Sequence, residues 1–188
     1  MVVTSILGAL SCGSSPTAPT GPLTFSGGIR VYTTSAPRAG SLVRYVADTG
    51  GPPSTATTST DGSYVLTVPS AGAYVVTVDG SLAGTTVVTG PTYRGDLLVD
   101  TTGCTARYGQ ITDALTGRPV NGATASLPGG SSVSDADGRY RIDLGCETNV
   151  SFSTTFISVR HPRYQERQQV VGRGVQNVLR LDLRLDPL

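Results

Sequence analysis

The chain has 188 residues, 14 basic against 13 acidic side chains for a net charge of +1, and 24 glycines and 12 prolines. That balance leaves no electrostatic footprint for nucleic acid. Every basic residue is arginine, which excludes a P-loop lysine, a Schiff base, a catalytic Ser–Lys pair and an internal Lys–Asn isopeptide bond.

The length suits one or two domains. No window carries apolar residues at helical spacing. Short Val/Tyr/Thr/Leu runs between Gly/Pro/Asp clusters predict an all-β protein instead.

Residues 2–10 form an apolar, small-residue stretch too short to span a bilayer as a helix. They fit the h-region of a secretion signal, which would make residues 1–11 a signal peptide. Ala9-Leu10-Ser11-Cys12 resembles the lipobox of bacterial lipoproteins, in which the cysteine is lipidated; the family more often has Leu at the position of Ala9. Residues 13–22, rich in Ser, Pro, Thr and Gly, have the composition of a flexible tether. Residues 12–22 are therefore expected to be a lipidated cysteine and its leash.

The next strands are predicted at residues 28–32, 41–47, 63–68, 73–78, 85–88 and 96–99, with a Pro/Gly link at 36–40. In the third of these, Tyr64, Leu66 and Val68 alternate toward a core. A boundary is expected near Thr101-Thr102-Gly103, a linker short enough for flanking units to pack together. Beyond it, strands are predicted at 108–113, 123–127, 139–144, 156–160 and 165–171, with 128–137 as a loop. The final strand is the clearest: Leu179, Leu181, Leu183 and Leu185 should face the core, and Arg180, Asp182, Arg184 and Asp186 should face water.

One motif occurs twice. Ser59-Thr60-Asp61-Gly62-Ser63-Tyr64-Val65-Leu66 recurs as Asp135-Ala136-Asp137-Gly138-Arg139-Tyr140-Arg141-Ile142. Asp-Gly followed by alternating apolar residues signals a hairpin turn, so Asp61, Gly62, Asp137 and Gly138 are expected in two equivalent hairpins. The spacing between copies is that of one small domain. The chain is expected to divide into module 1 at residues 23–103 and module 2 at residues 104–188. In an exported protein, the two cysteines other than Cys12 suggest a Cys104–Cys146 disulfide.

Gly109-x-Ile111-x-Asp113-x-x-Thr116-Gly117-x-Pro119-Val120-x-Gly122-Ala123, with Asp135-x-Asp137-Gly138-x-Tyr140-x-Ile142 and His161-Pro162-x-Tyr164, resembles the carboxypeptidase regulatory-like domain. Module 1 keeps only Pro37-x-x-Gly40 and Asp61-Gly62-x-Tyr64-x-Leu66 of that pattern. The resemblance implies two tandem Greek-key, seven-stranded transthyretin-like β-sandwich modules. It implies no activity, because in carboxypeptidases this domain accompanies a separate zinc peptidase domain.

Candidate chemistry is sparse. Asp135-Ala136-Asp137-Gly138 begins like a calcium loop, but Arg139, Tyr140 and Arg141 stand where further oxygen ligands would be needed. His161 is the single histidine, without metal-ligand spacing or a nucleophile elbow around it. Glycan binding requires aromatic platforms, for which Tyr32, Tyr45, Tyr93, Tyr108 and Tyr164 are the candidates if exposed. The sequence thus points to a non-enzymatic, lipid-anchored protein of the bacterial cell envelope, on the outer membrane or cell surface. It needs no cofactor and no metal. Its partners would be the membrane, through the lipid, and an envelope protein; the alternative is a carbohydrate-binding module of the starch-binding-like type.

Overall fold

The computed structural model describes residues 21–90, 93–146, 155–171 and 178–188. Cys12, the expected signal peptide and nearly all of the expected tether lie outside the described residues. Among the described residues there is no helix, and the chain is all-β.

The strands are β1 (Leu23–Val31), β2 (Leu42–Ala47), β3 (Ser54–Thr57), β4 (Ser63–Val68), β5 (Gly72–Val78), β6 (Ser81–Val88), β7 (Leu97–Val99), β8 (Thr105–Asp113), β9 (Thr124–Leu127), β10 (Gly130–Val133), β11 (Arg139–Gly145), β12 (Thr155–Arg160), β13 (Arg167–Val171), β14 (Val178–Leu181) and β15 (Leu183–Leu185).

One pairing scheme appears in both halves. β1 pairs antiparallel with β4 and parallel with β7; β8 pairs antiparallel with β11 and parallel with β14 and β15. Opposite the first set lie β3, β2, β5 and β6. Opposite the second lie β10, β9, β12 and β13.

Each pair of layers encloses its own apolar core. Strand alternation supplies it, because successive side chains point to opposite faces. Phe25, Ile29, Tyr64 and Leu66 meet Val43, Tyr45, Tyr74 and Val76 in the N-terminal core. Ile111, Tyr140, Ile142 and Leu183 meet Ala125, Ile157 and Val159 in the C-terminal one. The chain is a β-sandwich protein with two cores.

The halves share a sheet. β14 lies between β8 and β6, parallel to both, so hydrogen bonding runs through β11, β8, β14, β6, β5, β2 and β3 in order. Gly84 in β6 makes this possible. Its φ is +146°, and a Cβ there would collide with the Arg180 backbone.

Three expectations need correction. Residues 128–137 are not all loop, because they contain β10, and β3 was not anticipated at all; both are short, Ser/Thr-bearing strands at sheet ends. The final strand is broken at Asp182 into β14 and β15. Its leucines are buried as the alternation requires, but Arg180 is buried too, because the outer face of β14 is covered by the N-terminal half.

Candidate functional site

The two Asp-Gly turns are built alike, although neither joins hydrogen-bonded neighbours. β3 and β4 belong to different sheets, and so do β10 and β11. The turns are therefore corners that carry the chain across the sandwich, not hairpins. Asp-Gly supplies a turn with positive φ in either setting; the apolar alternation after it does not say which strand pairs with which.

At the first corner Gly62 has φ +78°, Ile29 N donates to Gly62 O at 2.9 Å, and Arg38 N donates to Ile29 O at 3.0 Å. At the second, Gly138 has φ +72°, Ile111 N donates to Gly138 O at 2.8 Å, and Val120 N donates to Ile111 O at 2.9 Å. A Cβ on either glycine would strike the Ile29 or Ile111 carbonyl.

The carboxylates differ between corners. Asp61 Oδ1 accepts from Ser59 Oγ and Ser63 N, and the Ser59 and Ser63 hydroxyls and the Ser63 amide hold its pKa down to about 2. In the second copy Asp135 Oδ1 accepts from Asp137 N and Arg139 N, and Asp137 pairs with Arg139 at 2.8 Å. The oxygens suggestive of a calcium loop are thus engaged by the turn itself.

The tyrosine after each corner is equally repeated. Tyr64 Oη donates to Gly95 O, and Tyr140 Oη donates to Leu181 O at 2.8 Å. The next residues, Asp96 and Asp182, each use Oδ1 to accept a strand amide: Gly28 N and Gln110 N, both at 3.0 Å. An aspartate side chain replaces a ladder carbonyl at this point, which is why β15 is separate from β14 and β7 starts only at Leu97.

Asp182 has a second set of partners. Arg180 Nε donates to its Oδ1 at 3.1 Å and Nη2 to its Oδ2 at 3.1 Å, and Thr86 Oγ1 donates to Oδ2. Arg180 Nη1 reaches into the N-terminal half, donating to Arg94 O at 2.9 Å and Asp96 O at 2.8 Å. Its guanidinium also stands 5.2 Å from the centre of the Tyr93 ring. Burial pushes the Arg180 guanidinium down, but the Asp182 carboxylate together with Tyr93 and Tyr108 outweighs it and holds the pKa well above its ordinary value.

Above this junction opens a cleft of about 550 Å³. Tyr108, Gln110 and Arg180 form its floor. Arg139 and Arg141 of β11 lie on one side, and Arg30, Arg94 and Asp96 of the N-terminal half on another. Register places Arg139 beside Gln110 and Arg141 beside Tyr108 on the outer face of the sheet. Tyr32, from the N-terminal half, contacts the arginine-bearing strand β11. Its hydroxyl donates to Asp143 across the halves, its ring lies under the Arg141 guanidinium at 4.5 Å, and burial with the Asp143 bond raises its pKa.

Charge in the cleft is unlike charge in the chain as a whole. Five of the 14 arginines line it against two of the 13 acidic residues. Among the described residues Arg30 and Arg94 have no carboxylate partner; they donate to Ser35 O and Ser26 Oγ. Sequence reasoning did not find this cluster, because its arginines come from β1, the segment before β7, β11 and β14.

Of the other expected residues, Cys104 and Cys146 form the disulfide, linking the start of β8 to the end of β11. His161 packs edge-on against Tyr164 and accepts from Arg163 N through Nδ1 at 3.2 Å. Tyr45 and Tyr93 are buried, contrary to the exposure considered for them. Phe25 stacks edge-to-face on both, so neither is a glycan platform.

No protein-family model matches the chain, and no curated protein does. Solved structures show remote likeness. The Bacillus anthracis TIE protein aligns over 89% of this chain at 11% identity and TM-score 0.35, and the chain spans only 34% of that protein's length. The minor pilin GBS52 of Streptococcus agalactiae aligns over 88% of this chain and 96% of its own, at 11% identity and TM-score 0.31. The shaft pilin SpaA of Lactobacillus rhamnosus GG aligns over 90% and 98%, at 12% identity and TM-score 0.32. At these scores the likenesses assign neither family nor function.

Proposed function

We propose that this is a non-enzymatic envelope lipoprotein in which two tandem transthyretin-like sandwiches act as one interaction module. β14 and β15 together are the seventh strand of the second sandwich. Cys12 carries the lipid, and residues 13–22 hold the module off the membrane.

The observation that carries the interaction role is the insertion of β14 between β8 and β6. It fixes one sandwich against the other and holds open a polar cleft between them. Lipobox-like Ala9-Leu10-Ser11-Cys12, the tether composition and the Cys104–Cys146 disulfide support an exported, anchored protein.

The test is the intact mass of protein extracted by detergent from its native membrane fraction without reductant. A chain starting at Cys12 with a diacylglyceryl group and one disulfide is expected. An unmodified chain starting at Met1 with free thiols would overturn the reading.

A further inference from the structure

The geometry points to the inter-sandwich cleft as a binding site for an acidic peptide segment in extended conformation. The inference rests on the interaction reading above and names the partner's chemistry.

Arg139 and Arg141 are alternate residues of β11 on one face, so their Cα atoms stand about 7 Å apart. Alternate carboxylates of an extended peptide have the same repeat. The guanidinium group is a planar fork that binds carboxylate bidentately. Both arginines hold only surface partners: the Arg139–Asp137 and Arg141–Asp143 pairs have side chains 48–65% exposed. Exposed pairs of this kind contribute little and exchange partners readily.

Arg30 and Arg94 add positive charge from the facing half, without a carboxylate partner among the described residues. The floor supplies Gln110, whose Nε2 donates to Asp137 O at 2.8 Å and so ties the floor to the arginine-bearing corner. A peptide fits better than a neutral sugar chain. Tyr93 is buried, Arg141 covers the face of Tyr32, and the Tyr108 hydroxyl is engaged by Leu98 N at 2.6 Å. Of the described rings that line the cleft, Tyr93 and Tyr140 are buried and only Tyr108 is part-exposed, so a pyranose has no pair of aromatic platforms there.

The experiment is fluorescence anisotropy of the full, disulfide-bonded protein with a labelled peptide of about eight alternating Glu and Thr residues, roughly 26 Å long when extended. Its Gln-Thr counterpart and a sulfated glycan of equal charge are run alongside. The Glu-Thr peptide should bind and the Gln-Thr peptide should not. Binding should weaken on going from about 50 mM to about 300 mM salt. R139Q/R141Q should weaken it by about tenfold or more, the scale of one lost charge-assisted contact. R30Q/R94Q, changed in the other half, should weaken it as well. R44Q, at an exposed position of β2 away from the cleft, should not. Absence of peptide binding, binding by both double variants as tight as that of the unsubstituted protein, or tighter binding of the glycan through the same arginines would overturn the site. An intact lipidated mass with no peptide binding would remove this inference and leave the anchored module standing.

Discussion

Arg180 and Asp182 form an ion pair whose side chains are only 8% and 6% exposed, and it lies where the two halves of the chain meet. The pair is satisfied from both halves: Thr86 and two backbone carbonyls come from the N-terminal side, and Gln110 N from the C-terminal side. Removing one member of a buried pair leaves the other charged and unpaired, which typically costs about 3–5 kcal/mol. Arg180→Ala should lose stability on that scale in urea unfolding. The double replacement Arg180→Met with Asp182→Leu should lose less than the single one, because no lone charge remains.

Gly84 is a point of close approach between β6 and β14 in the shared sheet. At φ +146° with the Arg180 backbone against its Cα, an alanine is strained and displaces β14. Gly84→Ala should cost about 1–3 kcal/mol, the scale of a residue forced into a sparse backbone region. Gly80→Ala is a control for strain alone, since its φ is +82° but nothing lies within 4 Å of its Cβ position. If the two variants lower the melting temperature equally, close approach of β14 is not what Gly84 serves.

The disulfide spans 42 positions. Loop-closure entropy for that span corresponds to about 4 kcal/mol of stabilisation. Replacing Cys104 and Cys146 together by alanine should lower the unfolding free energy by an amount of that order. The C-terminal core should lose protection first.

Asp61 gives a pH signature. Its folded pKa of about 2 lies below the ordinary aspartate value, so its stabilising contribution is present above the unfolded pKa of about 3.9. That contribution is lost as pH falls from there through about 2. Asp61→Asn should flatten the pH dependence of stability in that window and leave it unchanged near neutrality.

Much of the strand pattern was legible in the sequence. Tyr140 and Ile142 against Arg139 and Arg141 is an alternation that burial follows, and the final leucines are all buried. β3 and β10 were not legible, because Ser54-Thr55-Ala56-Thr57 and Gly130-Ser131-Ser132-Val133 carry almost no apolar alternation; they are strands because a neighbour offers its edge. Arg180 defeated the alternation rule for a different reason. Its side chain points away from the C-terminal core, but the N-terminal half covers it, so it does not face water. The cleft could not be read at all, since no local signal brings Arg30, Arg94 and Arg139 together.

β14 joins the two halves of the chain into one unit, and the amide of Asp182, which donates to Thr85 O across the junction at 3.2 Å, reports on that joint directly. Native-state hydrogen exchange of the intact protein should find this amide protected to the same free energy as amides within the two cores, such as those of Val76 and Val159. A fast-exchanging Asp182 amide beside two protected cores would mean that the sandwiches part while each stays folded, and would contradict the claim.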